Sequence, residues 1–273
     1  MTAVEEQVRW RLDGGVAWIT LDQPDASNAL TADQRDHLRA LFDRASESLA
    51  VRSVVLTATG QAFCAGANLR GARPAAGDRP ADAPERVMGD AARIIRLGWQ
   101  RLIASVLDCE KPVVAAVNGT AAGGGMHLAL ACDLVLAAEE ARFISVFVRR
   151  GILPDAGGAY LLARLLGPQK AKEVAFFGDD LPAAGAAQLG LVNKVVPRAE
   201  LEKTAAEWAG RLAAGPTQAI GATKRLINRS LESDRATAFS EEALLQEMLA
   251  DTDDAREGVA SFMERRPPSF RGW

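Results

Sequence analysis

The sequence has very few residues that bind metal ions or form disulfides. It contains only two histidines, and three cysteines at wide spacings, among 273 residues. No group of them has the spacing of metal ligands, so we predict no metal site. The cysteines, Cys64, Cys109 and Cys132, are odd in number and lie in apolar segments, which favours reduced thiols in a cytoplasmic protein.

The sequence also lacks long apolar runs, a basic N-terminus and an excess of positive charge. No apolar run reaches the length that spans a bilayer, and the first ten residues carry acidic side chains where a signal peptide would be basic. The net charge is -3, and charges of both signs are mixed along the chain. We therefore expect neither a nucleic-acid nor a membrane partner, whereas 48% hydrophobic residues are enough to fill a sizeable core.

The segment KPVVAAVNGTAAGGGMHLALACD, residues 111–133, carries the clearest functional pattern. Residues 113–117 are apolar and rich in β-branched side chains, which predicts a buried strand, and Gly123 to Gly125 open a predicted helix that runs to about Ala131. The first N–H groups of a helix have no acceptor within it, so glycines there let a polarised oxygen approach them. The segment therefore predicts half of an oxyanion-binding site. The alternative is a glycine turn that only lets the helix pack against the strand.

Glycine-rich nucleotide-binding motifs explain this segment poorly. The dinucleotide pattern GxGxxG does not occur in the chain. A Walker loop requires Lys and then Ser or Thr, and Gly125 and Met126 stand at those places. Both nucleotide-binding interpretations are therefore weak.

A second segment, QAFCAGANL at residues 61–69, supplies a candidate for the other half of the site. It follows a predicted buried strand at residues 52–59, and Ala65, Gly66 and Ala67 are small residues at the exit of that strand. Small side chains leave a backbone N–H accessible. Two N–H donors that converge on one carbonyl oxygen would polarise a thioester and stabilise its enolate.

The remaining pattern predicts an α/β protein whose strands and helices alternate before a helical C-terminal part. Thr31 and Gln34 form a capping box, which predicts a helix to about Leu49. Residues 70–84 are rich in Pro, Gly and Ala and are predicted to form a mobile surface loop. The other predicted elements are a hairpin at 8–12 and 16–21, a helix at 85–107 that bends at Gly98, strands at 134–137, 142–146 and 191–196, helices at 159–166 and 169–177, and amphipathic helices after residue 200.

Several motifs in a fixed order resemble the crotonase family, also called the enoyl-CoA hydratase/isomerase superfamily. The resemblance implies a crotonase-like spiral of ββα turns with an acyl-CoA site at residues 1–200 and a C-terminal helical oligomerisation segment at 201–273. It also implies a homotrimer or a dimer of trimers. The motifs are NALT (28–31), CAGANL (64–69), KPVVAAVNGTAAGGG (111–125), GILPDAGG (151–158), LGLVNKVV (189–196) and FMERRPPSF (262–270).

The resemblance also implies the ligand and the oxyanion hole. The donors would be the N–H groups of Ala67 and Gly124, and the ligand would be an acyl-CoA thioester, with coenzyme A as part of the substrate and no prosthetic group. The backbone around Ala65, Asn68 and Leu69 would recognise the adenine. Arg70, and less strongly Arg265 or Arg266, are candidates for the phosphates; the alternative for these arginines is an ordinary solvated surface position.

The resemblance fails at the positions that activate water. Family hydratases use two glutamates, and here His127 and Phe147 stand in their places. Asp155 lies where some family isomerases carry an aspartate as proton shuttle; the alternative is that it only caps a helix that begins near Ala156. His127 is a candidate to orient substrate or transfer a proton, the alternative being a hydrogen-bonded core residue. Cys64 lies near the predicted hole, but a small buried residue is the better interpretation.

We therefore predict an acyl-CoA enzyme that isomerises an enoyl-CoA double bond with Asp155 as acid and base. One alternative is a hydratase that works through His127 and Asp155. The other is a catalytically idle acyl-CoA-binding protein, suggested by the absence of both glutamates.

Overall fold

The computed structural model describes residues 2–70, 80, 82–84 and 87–273. The strands are β1 (Val8–Asp13), β2 (Val16–Leu21), β3 (Ser53–Ala58), β4 (Ala62–Cys64), β5 (Val113–Val117), β6 (Thr120–Ala122), β7 (Leu134–Ala138), β8 (Arg142–Ile144), β9 (Asp180–Pro182) and β10 (Lys194–Val196). The helices are α1 (Ala3–Gln7), α2 (Ala32–Glu47), α3 (Asp90–Leu97), α4 (Trp99–Leu107), α5 (Gly124–Ala131), α6 (Gly158–Phe177), α7 (Ala183–Gln188), α8 (Arg198–Ala213), α9 (Thr217–Ser230), α10 (Arg235–Ala250) and α11 (Asp253–Glu264).

The strands form two sheets through a spiral of ββα turns, as the resemblance implied. The larger sheet has the order β1-β2-β3-β5-β7-β10, and the smaller has the order β4-β6-β8-β9. In each successive turn the first strand joins the larger sheet and the second joins the smaller one, as β3 and β4, β5 and β6, and β7 and β8 do. The pairing is parallel except for the edge pairs β1–β2 and β8–β9.

The larger sheet is covered on both faces, which explains the lack of polar alternation in its central strands. All five residues of β5 are buried. One face packs against α2, α4 and α5 in the main core, and the other packs against α8 through Leu201, Ala205 and Ala209. Helix α8 crosses residue 200, the boundary between the two predicted parts of the chain, and its apolar face lies on the sheet.

Several local predictions are confirmed, and one changes in detail. Thr31 and Gln34 make both hydrogen bonds of the capping box at the start of α2. The predicted helix at 85–107 is two helices, α3 and α4, because Gly98 has a non-helical conformation with φ -103° and ψ -102°. In α6 the helical conformation is interrupted at Gly167, as the two predicted helices required. Most of the predicted mobile loop at 70–84 lies outside the described residues.

The described residues contain neither a membrane-spanning helix nor a cluster of metal-ligand side chains. No helix in the described ranges is both long and apolar enough to cross a bilayer. Among the same residues, no three His, Cys, Asp or Glu side chains lie close enough together to bind a metal ion. All three cysteines are buried and free.

Candidate active site

The two predicted half-sites are in direct contact. Gly66 lies so close to the start of α5 that a Cβ atom at this position would be 3.1 Å from the backbone nitrogen of Gly124. One residue further, a Cβ on Gly125 would overlap the carbonyl oxygen of Cys64. The glycines therefore allow close packing, and the same packing brings the exit of β4 to the first N–H groups of α5.

Both predicted donors have free N–H groups in the part of the chain that the structure describes. Residues 66–68 form an isolated parallel bridge in which the Leu30 N–H donates to Gly66 O (2.8 Å) and the Asn68 N–H donates to Leu30 O (2.9 Å). Successive N–H groups of an extended chain point in opposite directions, so the N–H of Ala67 faces away from Leu30. The N–H of Gly124, in the first turn of α5, also has no acceptor among these residues.

Aromatic rings border the glycine turn. The six-membered ring of Trp99 lies 2.9 Å from the position that a Cβ of Gly124 would occupy. The ring of Phe147 lies 3.7 Å from the corresponding position of Gly123. Both aromatic side chains are buried. The surroundings of the Gly124 N–H therefore have a low dielectric constant, which strengthens any hydrogen bond made there.

Asp155 occupies a turn before α6 and has no partner. Its carboxylate is half-buried and makes neither a hydrogen bond nor an ion pair with any described residue. Burial raises the pKa of this carboxyl above its ordinary value, and no neighbouring charge contributes to the shift. An unpaired carboxylate whose pKa is perturbed by desolvation is typical of a functional site.

The alternative that Asp155 only caps α6 is wrong. The helix begins at Gly158 after an N-cap at Gly157, and no side chain caps it. Ala156 and Gly157 both have left-handed conformations, with φ values of 52° and 72°. The Gly158 N–H donates to the backbone oxygen of Asp155 (3.0 Å) and closes the turn. A left-handed alanine costs about 1 kcal/mol or more, which is a second sign of a functional turn.

His127 connects the two sides of the site. It lies one helical turn after Gly124 on the same face of α5, and its ring fills the space beside Gly158 so closely that any Cβ there would overlap it. The ring is fully buried and stacks on Phe147, with centroids 5.1 Å apart and an angle of 6° between the planes.

Neither ring nitrogen of His127 has a hydrogen-bond partner among the described residues. The alternative of a core histidine is therefore correct for its burial, but no described residue is its hydrogen-bond partner. Burial lowers the pKa of His127 to about 4, although the backbone oxygen of Asp155 acts in the opposite direction. The imidazole is neutral at physiological pH.

Comparison with known proteins identifies the family. The family model described as "Enoyl-CoA hydratase/isomerase" matches residues 11–272. The chain belongs to the enoyl-CoA hydratase/isomerase family. It is therefore an acyl-CoA enzyme with the crotonase fold, and its two free N–H groups lie in the motifs that carry the family resemblance.

Relatives in the enoyl-CoA hydratase/isomerase family include proteins named as hydratases and proteins named as isomerases. A Rhodobacter capsulatus protein named probable enoyl-CoA hydratase is 38% identical over 265 residues, which cover 97% of this chain and 98% of the relative. The 1,2-epoxyphenylacetyl-CoA isomerase of Escherichia coli is 33% identical, with coverage of 96% and 97%. The crystal structure of the enoyl-CoA hydratase from Bacillus anthracis superposes with a TM-score of 0.87 at 31% identity, covering 98% of this chain and all of the other.

The segment predicted to contact coenzyme A borders the Gly124 N–H. The Ala65 N–H donates to Ser27 O (3.0 Å), and Asn68 Oδ1 accepts the N–H of Arg70 (2.9 Å). Leu69 is 72% exposed, and the guanidinium of Arg70 forms no ion pair with a described residue. These features leave the segment accessible to a ligand.

The other two arginine candidates, Arg265 and Arg266, take part in the structure of the C-terminal segment. Arg266 is engaged by Glu257 and Glu264, each with a shortest distance of 2.6 Å. Arg265 is the left-handed C-cap of α11. The Cys64 side chain is fully buried, and burial raises its pKa to about 12, so the interpretation of Cys64 as a small buried residue is confirmed.

Sequence reasoning singled out neither Trp99 nor Ile103 as a residue that borders the glycines of the site. Trp99 packs on Gly124, and Ile103 lies 3.3 Å from the Cβ position of Gly157. Both are on α4, whose apolar face could equally have been ordinary core. The only available signal was the helix break at Gly98, which sets Trp99 at a helix start.

Proposed function

We propose that this enzyme moves a double bond within an enoyl-CoA thioester, with Asp155 as its single acid and base. The observation that carries the proposal is the unpaired, half-buried carboxylate of Asp155, next to Phe147 and His127, which carry no charge at neutral pH. An isomerisation needs only one carboxylate because the proton that leaves one carbon returns to another.

The reaction follows from this arrangement. The N–H groups of Ala67 and Gly124 donate to the thioester oxygen and stabilise the negative charge that develops on it. The Asp155 carboxylate removes a proton from C2 of a 3-enoyl thioester, and the electron pair moves into a dienolate. Asp155 then returns the proton to C4, which gives the 2-enoyl thioester. No water is consumed and the enzyme is restored.

The surroundings of Asp155 suit a base. Desolvation without a compensating cation raises its pKa, which makes the carboxylate more basic than an exposed one. The strained Ala156 conformation holds the turn in one geometry. For the coenzyme A part of the substrate, the exposed Leu69 and the unpaired guanidinium of Arg70 support recognition by the segment 65–70.

Hydration is the second candidate, and the names of relatives favour it. The Rhodobacter capsulatus relative is named a hydratase, as is the short-chain-enoyl-CoA hydratase of Clostridium acetobutylicum at 33% identity. Hydration needs a group that activates water, and among the described residues of the site the candidates are His127 and Asp155. His127 is fully buried and stacked on Phe147, which leaves no room for water on that ring face.

Mass spectrometry in D2O distinguishes these reactions. Purified protein is incubated with 2-enoyl- and 3-enoyl-CoA esters of several chain lengths. The mass of each product is measured, and fragmentation gives the positions of its double bond and its deuterium atoms. We expect a migrated double bond with deuterium at the reacting carbons and no added water. A 3-hydroxyacyl product would support hydration instead, and unchanged esters that still bind would support an idle acyl-CoA-binding protein.

We also propose that the enzyme is a homotrimer or a dimer of trimers assembled through residues 201–273. Helices α9, α10 and α11 expose many large apolar side chains, which isolated soluble chains rarely do. Light scattering should give three or six times the 29.0 kDa of one chain. The exposed side chains include Ile227, Leu231, Phe239, Leu244, Met248, Val259, Phe262 and Met263.

A further inference from the structure

The imidazole of His127 is a buried polar group that the fold does not pair with any described residue. A neutral imidazole always carries one N–H, and here neither nitrogen has a partner among the described residues although the side chain is fully buried. A buried donor without an acceptor destabilises a folded protein. An apolar side chain at position 127 would avoid that cost, so the nitrogens are expected to have a use outside folding.

The contacts of His127 point to the turn that carries Asp155. One face of the ring stacks on Phe147, and its Cε1–Nε2 edge lies against Gly158. The Gly158 N–H closes the turn by donating to the backbone oxygen of Asp155, and that same oxygen faces the imidazole. The stack fixes the ring plane, so the ring can reach the turn without changing its rotamer.

Helix α5 holds His127 at a fixed distance from the N–H group of Gly124. Gly124 begins the helix and His127 follows three residues later, so about 4.5 Å of helix rise separate the predicted oxyanion donor from the imidazole. A helix of this kind is stiff. Any contact between His127 and the Asp155 turn therefore sets the distance between the polarised oxygen and the carboxylate.

We propose that His127 is a positioning residue: when substrate is bound, its neutral imidazole donates a hydrogen bond to the backbone oxygen of Asp155 and holds the carboxylate at a fixed distance from the Gly124 N–H. The inference rests on the proposed function of Asp155. In the absence of substrate such bonds are often too long or poorly aligned, and they tighten in the complex. His127 itself neither touches the reacting carbons nor accepts their protons.

Two variants test the proposal. His127→Phe keeps an aromatic ring on Phe147 and removes the nitrogens, whereas His127→Gln keeps an N–H donor. We expect His127→Phe to fold, to lower kcat about 10- to 100-fold because the carboxylate is misplaced, and to leave KM within about twofold. His127→Gln should recover a substantial part of kcat. A kcat within twofold of the wild type in His127→Phe, or equal losses in both variants, would overturn the proposal.

A measurement on the unmodified ring avoids any doubt about folding. The chain has only two histidines, so 15N-histidine labelling gives two sets of imidazole signals, and a His37→Gln variant assigns them. Adding a saturated acyl-CoA, which binds without reacting, should produce a slowly exchanging, downfield N–H signal for His127. An unchanged His127 signal at saturation contradicts the proposal. Asp155→Asn tests the proposed function separately. If that variant still isomerised the substrate, the proposed role of Asp155 would be wrong, but the ligand-induced His127 signal would be unaffected.

Discussion

The rings of His127 and Phe147 stack nearly parallel, with 6° between their planes and 5.1 Å between their centroids. These are the two positions at which the family resemblance implies the glutamates of a hydratase. The pair buries two aromatic rings in place of two charges, so this side of the site cannot activate water by a carboxylate. Asp155, on the turn that contacts His127, is left as the unpaired carboxylate of the site.

Asp155→Asn should abolish isomerisation and preserve binding of the thioester. The amide has the size of the carboxylate but cannot take up a proton, so we expect kcat to fall at least about 100-fold, in the range of general acid–base catalysis. Turnover is followed by mass spectrometry and binding by calorimetry with a saturated acyl-CoA. The matched control is Asp179→Asn, an exposed aspartate beyond the end of α6. Unchanged turnover in Asp155→Asn would show that another group moves the proton.

Gly66→Ala should lower activity through the oxyanion donors. The new methyl group would lie 3.1 Å from the nitrogen of Gly124 and 3.0 Å from the oxygen of Ala122, where it would obstruct the approach of a thioester oxygen. Losing one such donor costs about 100- to 1000-fold in kcat, so even partial obstruction should be measurable.

Gly190→Ala is the control for Gly66→Ala. Both glycines have left-handed backbones, with φ values of 89° and 79°, but a Cβ on Gly190 meets no atom within 4 Å. Backbone strain should cost each variant about 1 to 2 kcal/mol of stability, and the close contacts of the new methyl group add to the loss in Gly66→Ala. Only Gly66→Ala should lose turnover; parallel losses of activity would mean that strain, and not the donor, is responsible.

Acid should destabilise the wild type more than His127→Phe. The pKa of His127 is about 4 in the folded protein against 6.5 for an ordinary histidine, so the unfolded chain binds a proton between these values and the folded chain does not. The free energy of unfolding is therefore unaffected by this group above pH 6.5. It falls by roughly 3 kcal/mol as the pH is lowered from 6.5 towards 4. Urea unfolding at pH 7 and pH 4.5 measures the difference. Identical pH dependence in both proteins would contradict the low pKa.

Lys224→Met should strongly destabilise the fold. The ammonium group of Lys224 lies 2.9 Å from the carboxylate of Asp133 and also donates to the carbonyl oxygens of Val106 (2.9 Å) and Lys111 (3.3 Å). Removing it leaves the Asp133 carboxylate, whose side chain is 21% exposed, without its cation, at a cost of about 3 kcal/mol. The control is Lys170→Met, which breaks an exposed ion pair with Glu173 and should cost about 1 kcal/mol or less. Equal losses would show that the buried pair is unimportant.

The fold was largely predictable because its local signals agree with its tertiary structure. The apolar residues of β5, the capping box of α2 and the glycines before α5 each indicate the observed element. The break at Gly98 was predicted only as a bend, since a single glycine does not reveal how far a helix axis turns. The sequence left open whether Asp155 caps α6, because nothing in it shows that Ala156 is left-handed and that the helix starts only at Gly158.

The sequence by itself determined the strands of the larger sheet, most of the helices, the family, and the identity of the side chains at the site. These are local properties, since hydrophobic pattern, caps and motif spacing lie along the chain. Only the tertiary structure decided that Gly66 lies against Gly124, that His127 contacts Gly158, and that the nitrogens of His127 and the carboxylate of Asp155 have no described partners. Desolvation and hydrogen bonding depend on residues distant in sequence that the two sheets bring together, so the protonation states of the site follow from the fold.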